Sequence, residues 1–250
     1  SYTDVPLIPL GGDLFEAVIP STRPGEKPEF YFCAQTSSGS TVLYPKNAPA
    51  EVLSFDVCIH VSRYEDDFET DRGWTVHSPY IQDGEWERVD PEGTDAQPED
   101  DHTPSGTHCF VTGGDGGSID SDDLDGESYL TSPLLDMAGD DPVVSFYLWV
   151  YHSLSGFEQP LEVHISNNNG ATWTPVMKAY NRPEWIYRSF RVSDYVTPTS
   201  TMRVRFLAFD NPNDSIVEAL VDDFMVEHLD YQASLWANEY SASAVSGGAV

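Results

Sequence analysis

Positive charge is scarce in this chain. Twelve Lys and Arg stand against 42 Asp and Glu in 250 residues, a formal net charge of −30 at pH 7. Three of the twelve are lysines, against 25 aspartates. Nucleic-acid binding relies on Lys and Arg displacing counterions from phosphates, so nucleic acid is excluded as a partner. Anionic membrane surfaces are disfavoured for the same reason. Long apolar runs are also missing: none approaches the roughly 20 residues of a spanning helix, so no membrane insertion is expected. Cysteine is limited to Cys33, Cys58 and Cys109, too few for a disulfide scaffold and without zinc-type CxxC spacing. No amphipathic helix of 12 or more residues, nucleophile elbow, P-loop or HExxH motif occurs. No secretory leader is visible, which suits an internal or mature piece.

What the chain does have is material for a core and for strands. Hydrophobic residues make up 40%, with 6 Trp, 13 Tyr and 12 Phe, which argues against disorder despite the charge. Apolar residues recur with period two in "EFYFCAQ", "VLSFDVCIHV", "VVSFYLWVYH", "LEVHIS", "YRSFRV" and "MRVRFLAF". Each run is bounded by Gly, Pro, Asn or Asp, and the pattern predicts an all-β sandwich protein. A surface this acidic stays hydrated or meets divalent cations, and points to an extracellular setting, secreted or on the cell surface. Cys33 and Cys58 lie on successive strand-like runs. If these pair about a centre near residue 45, the two face each other and a disulfide is possible; the alternative is two free thiols.

Three segments follow. Residues 1–60 read as a small β module, in which "FEAVIP", "FYFCAQ" and "SFDV" resemble the closing strands of the immunoglobulin-like or fibronectin-like modules of secreted bacterial enzymes. Such a module has about seven strands. About four fit here, so the module is expected to be incomplete or completed from elsewhere. Residues 61–229 form a larger unit of jelly-roll size. Residues 230–250 read as a linker entering the first strand of a truncated or strand-exchanged third module.

In the larger unit, "DDFETDRGWTV", "GEWERVDPEGTDAQPEDDHTPSGTHCFVTGGDGGS", "DDLDGESYLTSPLLDM" and "RFLAFDNPNDSIVEALVDDFMV" follow one another over residues 64–228. Together they resemble the MAM-like jelly-roll module, similar to carbohydrate-binding modules. It follows the catalytic domain in secreted bacterial, planctomycete-like metallopeptidases of the zinc-carboxypeptidase type. The resemblance implies a non-catalytic, calcium-stabilised accessory module. Glu127 departs from the pattern, which more often has glycine there.

The residues themselves also point to calcium (Ca2+), which takes six to eight oxygen ligands at about 2.3–2.6 Å. Asp67 and Glu69 flank Phe68, and on a strand would share one face. Asp222 and Asp223 lie on the last strand-like run, which in a jelly roll commonly neighbours the first. Asp123 and Asp125 sit in "DDLDG", where glycine permits a tight turn. Carboxylates gathered in this way repel unless a cation joins them. The expected metal ligands are therefore Asp67, Glu69, Asp123, Asp125 and Asp222, and the competing reading is a solvated acidic face. "QPEDDHTPSGTH" contributes His102 and His108 among acids but fits no zinc spacing, and reads better as a loop held by its own hydrogen bonds. "SNNNGATW" (166–173) has the form of an Asp-box turn and reads as structural. Most tryptophans, Trp149 among them, suit the core. Trp86 in "GEWER" and Trp185 in "RPEWIYR" lie beside charges and are the candidates for a sugar-stacking platform.

These observations support a non-catalytic accessory or adhesion segment of a larger protein, which the resemblance implies to be a metallopeptidase, with a protein or glycan partner at the cell surface. A structural subunit of an extracellular filament or surface layer, self-assembled through open β edges, is the alternative. A carbohydrate-binding module is a third reading.

Overall fold

A computed structural model describes residues 2–11, 14–114, 123–139, 141–153, 159–211 and 215–231. Contacts divide the chain into two units. One runs to His60 and includes the chain from Asp230 onward; the other is Val61–Leu229. Beyond Tyr231, the expected third-module strand lies outside the described residues.

The first unit holds β1 (Ile8–Gly11), β2 (Leu14–Glu16), β3 (Glu29–Phe30), β4 (Phe32–Gln35), β5 (Thr41–Tyr44) and β6 (Leu53–Ser54). They form three two-stranded ribbons, β1–β2, β3–β6 and β4–β5. Among its described residues Ala48 is the single buried hydrophobic side chain, while Leu7, Ile8, Leu10, Leu14 and Phe15 are exposed. Two-stranded ribbons without a covered face are marginal on their own. The cysteine pairing expected about residue 45 is corrected. The β4–β5 hairpin turns earlier, where the Thr36 amide donates to the Ser40 carbonyl at 2.8 Å. Cys33 therefore faces Leu43, and no disulfide joins Cys33 to Cys58.

The second unit contains β7 (Ile59–Asp66), β8 (Thr75–His77), β9 (Trp86–Val89), β10 (Cys109–Thr112), β11 (Gly126–Thr131), β12 (Pro142–His152), β13 (Leu161–Ser166), β14 (Thr174–Ala179), β15 (Arg182–Arg191), β16 (Arg203–Asp210) and β17 (Val217–Asp230). One sheet has the order β15-β12-β17-β10-β9, with β7 also paired to β17; the other runs β14-β13-β16-β11-β8. This is an all-β sandwich, as the alternating sequence predicts, and its first and last strands are adjacent, as expected of a jelly roll. Period two sends Val144, Phe146, Leu148 and Val150 of β12, Val163 and Ile165 of β13, and Val204, Phe206 and Ala208 of β16 into one core. Rings lock the two layers together: Phe146 meets Phe206 edge-on at 4.9 Å between centroids, and Trp74 meets Phe224 at 5.0 Å. Each fully buried large side chain contributes on the order of 1.5–3 kcal/mol.

Two tryptophan expectations change. Trp86 is 2% exposed and donates its indole N–H to the Ser128 carbonyl at 3.1 Å. It is a core residue, because alternation on β9 outweighs its charged sequence neighbours. Trp149 alternates with the core residues of β12 and so lies on the opposite face. There it packs beside Cys109, Val111 and Leu220 and donates to the Ala96 carbonyl at 2.8 Å. The 90–108 loop is thereby pinned onto that face of the sheet.

Candidate functional site

Two groups of carboxylates are assembled by the fold. The first depends on a change of direction after β7. That strand ends at Asp66, and Phe68 takes φ +56. Asp67, Phe68 and Glu69 thus form a turn instead of a continued strand, so the shared carboxylate face expected for Asp67 and Glu69 does not exist. The cause is Asp66, which is 2% exposed. Its carboxylate accepts the Phe68 amide (3.1 Å), the Trp74 indole N–H (2.8 Å) and the Tyr64 hydroxyl (2.8 Å). That turn drives the Phe68 ring into the core against Phe110, 5.1 Å away. Asp67 is left exposed, accepting the Glu69 amide at 3.3 Å.

Glu69 and Asp222 instead reach the 101–108 loop from two sides. Glu69 Oε1 accepts the amides of Thr107 (2.8 Å) and His108 (2.7 Å). Burial raises the Glu69 pKa, but these amides outweigh it and hold the carboxyl below its usual range. Asp222, fully buried on β17, accepts the amides of His102 (2.8 Å) and Thr103 (3.2 Å). Asp223, at φ +49, takes the His102 ring nitrogen at 2.6 Å and the Thr103 hydroxyl at 2.8 Å. The loop is therefore held by acids of distant strands as well as by local bonds. His102 and His108 are engaged separately, His108 Nδ1 with the Thr107 hydroxyl at 2.8 Å.

At the start of this loop, Asp101 Oδ2 is buried with no hydrogen-bond partner. A Cβ on Gly106 would overlap both that oxygen and Glu69 Oε1. Burial, then Glu69 and Asp223, push Asp101 up to about 6. Burial, eased by its amide partners and reinforced by Asp223 and Asp101, pushes Asp222 up to about 7. An adjoining cavity of about 400 Å³ is lined by Asp90, Glu92, Glu99, Asp100 and Asp101. The Cys109 thiol beneath is raised by burial and by Asp222, Asp101, Asp90 and Glu69 around it.

The second group is Asp123, Asp125 and Asp210, each offering an oxygen within 4.8 Å of the others. The β11–β16 pairing brings them together, since Gly126 sits opposite Asp210. The Val217 amide fixes Asp123 Oδ1 at 2.8 Å. Gln159 and Ser215 fix Asp210 Oδ1 at 2.7 and 3.2 Å. Gly84, at φ +73, lets the chain pass so close to Asp123 that a Cβ there would overlap its carbonyl oxygen. Burial, then the charges of Asp125 and Asp210, push Asp123 up to about 7. Asp125 Oδ1 is buried and unpartnered.

Orphaned oxygens, an all-oxygen donor set and acids raised by their neighbours fit a hard divalent cation. Asp210 escaped the sequence reading, while Asp101 and Asp223 stood in its acidic runs without being counted among the expected ligands. Asp210 was visible as an acid ending the apolar run "RFLAF", but its partners are set by strand register alone.

Of the proposed sugar platform, Trp185 is partly buried. It packs edge-on to Trp149 at 6.1 Å and to His102 at 5.9 Å, and its indole nitrogen is buried without a partner. In the Asp-box turn, Asn168 Oδ1 accepts the Thr172 amide at 2.9 Å and the Ser166 hydroxyl accepts the Gly170 amide at 2.9 Å, a structural hairpin.

No family model matches the chain, and no curated protein matches it. Several solved structures are similar in arrangement. One is the K1 cleaved adhesin domain of Lys-gingipain from Porphyromonas gingivalis (13% identity, 65% of this chain and 96% of that one, TM-score 0.42). Another is the family 11 carbohydrate-binding module from Clostridium thermocellum, in complex with a mixed-linked tetrasaccharide (13%, 65% and 94%, 0.40). A third is the xylan-binding domain of Paenibacillus barcinonensis Xyn10C (13%, 67% and 94%, 0.40).

Proposed function

We propose that the chain is a non-catalytic, calcium-stabilised module of a larger secreted or cell-surface protein, and that it acts by binding. The observation that carries this reading is the group Asp123, Asp125 and Asp210, whose oxygens lie within 4.8 Å of one another around the buried, unpartnered Asp125 Oδ1. These three are the residues assigned to Ca2+, and the ion would supply the charge neutralisation that holds them together. Backbone amides already occupy Glu69 and Asp222, which suits a structural role and leaves them poorly placed to move protons. A MAM-like accessory role beside a metallopeptidase belongs to the same proposal. The test is thermal melting of the full chain in EDTA and in millimolar CaCl2. Calcium is expected to raise Tm by several degrees, and an identical melt in both would reject the metal.

A second reading is assembly by strand exchange, favoured by the exposed apolar ribbon of Leu7, Ile8, Leu10, Leu14 and Phe15, since open edges invite pairing. Light scattering that finds a monomer at all concentrations would dismiss it.

A further inference from the structure

The outer face of the sheet β14-β13-β16-β11-β8 carries a side-chain arrangement unlike the rest of this acidic chain. Strand register sets two adjacent rows across it. One is His77, Tyr129, Leu207, Glu162 and Lys178. The next contains Thr131, Arg205 and His164. Arg205 packs against two rings, its guanidinium carbon 5.0 Å from the Tyr129 centroid and 4.3 Å from that of Trp173. Its Nε donates to His164 Nδ1 at 3.1 Å. His164 therefore carries its proton on Nε2 and donates to Glu162 at 3.0 Å. Burial and Arg205 lower the His164 pKa, which keeps that tautomer neutral. Lys178 closes the chain on Glu162 at 2.7 Å.

This relay fixes the guanidinium in place. Two rings pack against it and Nε is engaged, while the two Nη nitrogens have no acceptor among the described residues. The in-plane edge of a guanidinium is the part that takes a carboxylate bidentately. Beside it runs the apolar and aromatic strip of His77, Tyr129 and Leu207, a surface suited to the C–H faces of sugar rings. The inner strands β13, β16 and β11 are paired on both sides, so no backbone is offered for strand addition by a peptide. With a net charge of −30, a densely charged polyanion is repelled, whereas one carboxylate matches one arginine.

We infer that this face binds a largely neutral polysaccharide bearing sparse uronic-acid units, with Arg205 receiving the carboxylate and His77, Tyr129 and Leu207 lining the adjacent sugar. The inference rests on the reading of the chain as a binding module and is independent of the cation, so glycan titration and the calcium melt fail separately.

The test uses the full chain in calcium buffer with three probes: glucuronoxylan, xanthan and homogalacturonan. Each is presented native and carboxyl-reduced, by affinity electrophoresis and calorimetry. Glucuronoxylan or xanthan is expected to bind and to lose at least tenfold in affinity on carboxyl reduction, with the wild-type protein unaltered. R205Q should reproduce that loss on the native polymer. R205K, which keeps the charge but not the fork, should fall between, with unchanged melts confirming the fold. Absence of binding to every native polymer would overturn the inference. So would equal affinity for the reduced forms, preference for homogalacturonan, or an R205Q variant that folds and binds as wild type.

Discussion

Asp222 Oδ2 accepts the backbone amide of His102 at 2.8 Å, joining the last strand to a loop 120 residues earlier in the chain. The same oxygen takes the Thr103 amide, so one buried carboxylate positions the start of the acidic loop. Asp222→Ala would leave both amides without their acceptor. Each lost bond to a charged group costs about 1.5–3 kcal/mol, and about 1 kcal/mol moves Tm by roughly 2–4 °C at this size. A Tm drop of about 5 °C or more is expected, with amide exchange accelerated over residues 101–108. Unchanged exchange in that loop would contradict the anchoring role.

The raised acids set a pH dependence of definite sign. Asp101, Asp123 and Asp222 have folded pKa values of about 6, 7 and 7, above the ordinary carboxylate value near 4. The folded state thus binds their protons more tightly than the unfolded one, and stability falls as pH rises from about 4 through 7. In EDTA, Tm should decline between pH 5 and 8. With calcium bound the decline should vanish or reverse. A rising EDTA curve over that range would be incompatible with the site as described.

Asp123→Asn separates charge from shape. It keeps an acceptor for the Val217 amide while removing one of three mutually repelling charges. Without metal the variant should melt as high as the parent or higher. With calcium it should gain less than the parent does. A full calcium response in the variant would remove Asp123 from the ligand set.

Gly84→Ala addresses the backbone approach beneath that group. The added Cβ would overlap the Asp123 carbonyl from a residue already at φ +73. Strain of this kind costs on the order of 1–3 kcal/mol. Melting should fall accordingly, and a neutral result would show that the 83–84 and 123–125 segments separate readily.

Thiol chemistry checks the cysteines. Cys33 is exposed and Cys109 is buried at 0%. Ellman's reagent should modify Cys33 quickly in the native protein and Cys109 only on unfolding. No native reaction at Cys33 would argue for a disulfide after all.

How far the sequence reaches is clearest on single strands. "VVSFYLWVYH", "LEVHIS" and "MRVRFLAF" became β12, β13 and β16 with the expected alternate residues inward. Alternation is a local property and needs no knowledge of the partner. "DDFE" shows the opposite case. Its strand-like pattern is overridden by Asp66, whose bonds to Trp74 and Phe68 bend the chain and turn Asp67 outward. Trp86 was misjudged by its charged neighbours for a related reason: burial follows the face of the strand, not the adjacent letters.

Strand content, core composition and the surplus of carboxylates are therefore written in the sequence, because each follows from residue type and period two. Tertiary structure alone decided which carboxylates meet. Asp210 joins Asp123 and Asp125 through strand register, and Asp101 meets Glu69 through a loop fastened to the far strand. Arg205 acquired its two rings and its histidine in the same way. Side chains from distant positions converge only once the strands have paired, and that pairing is fixed by burial of the opposite face.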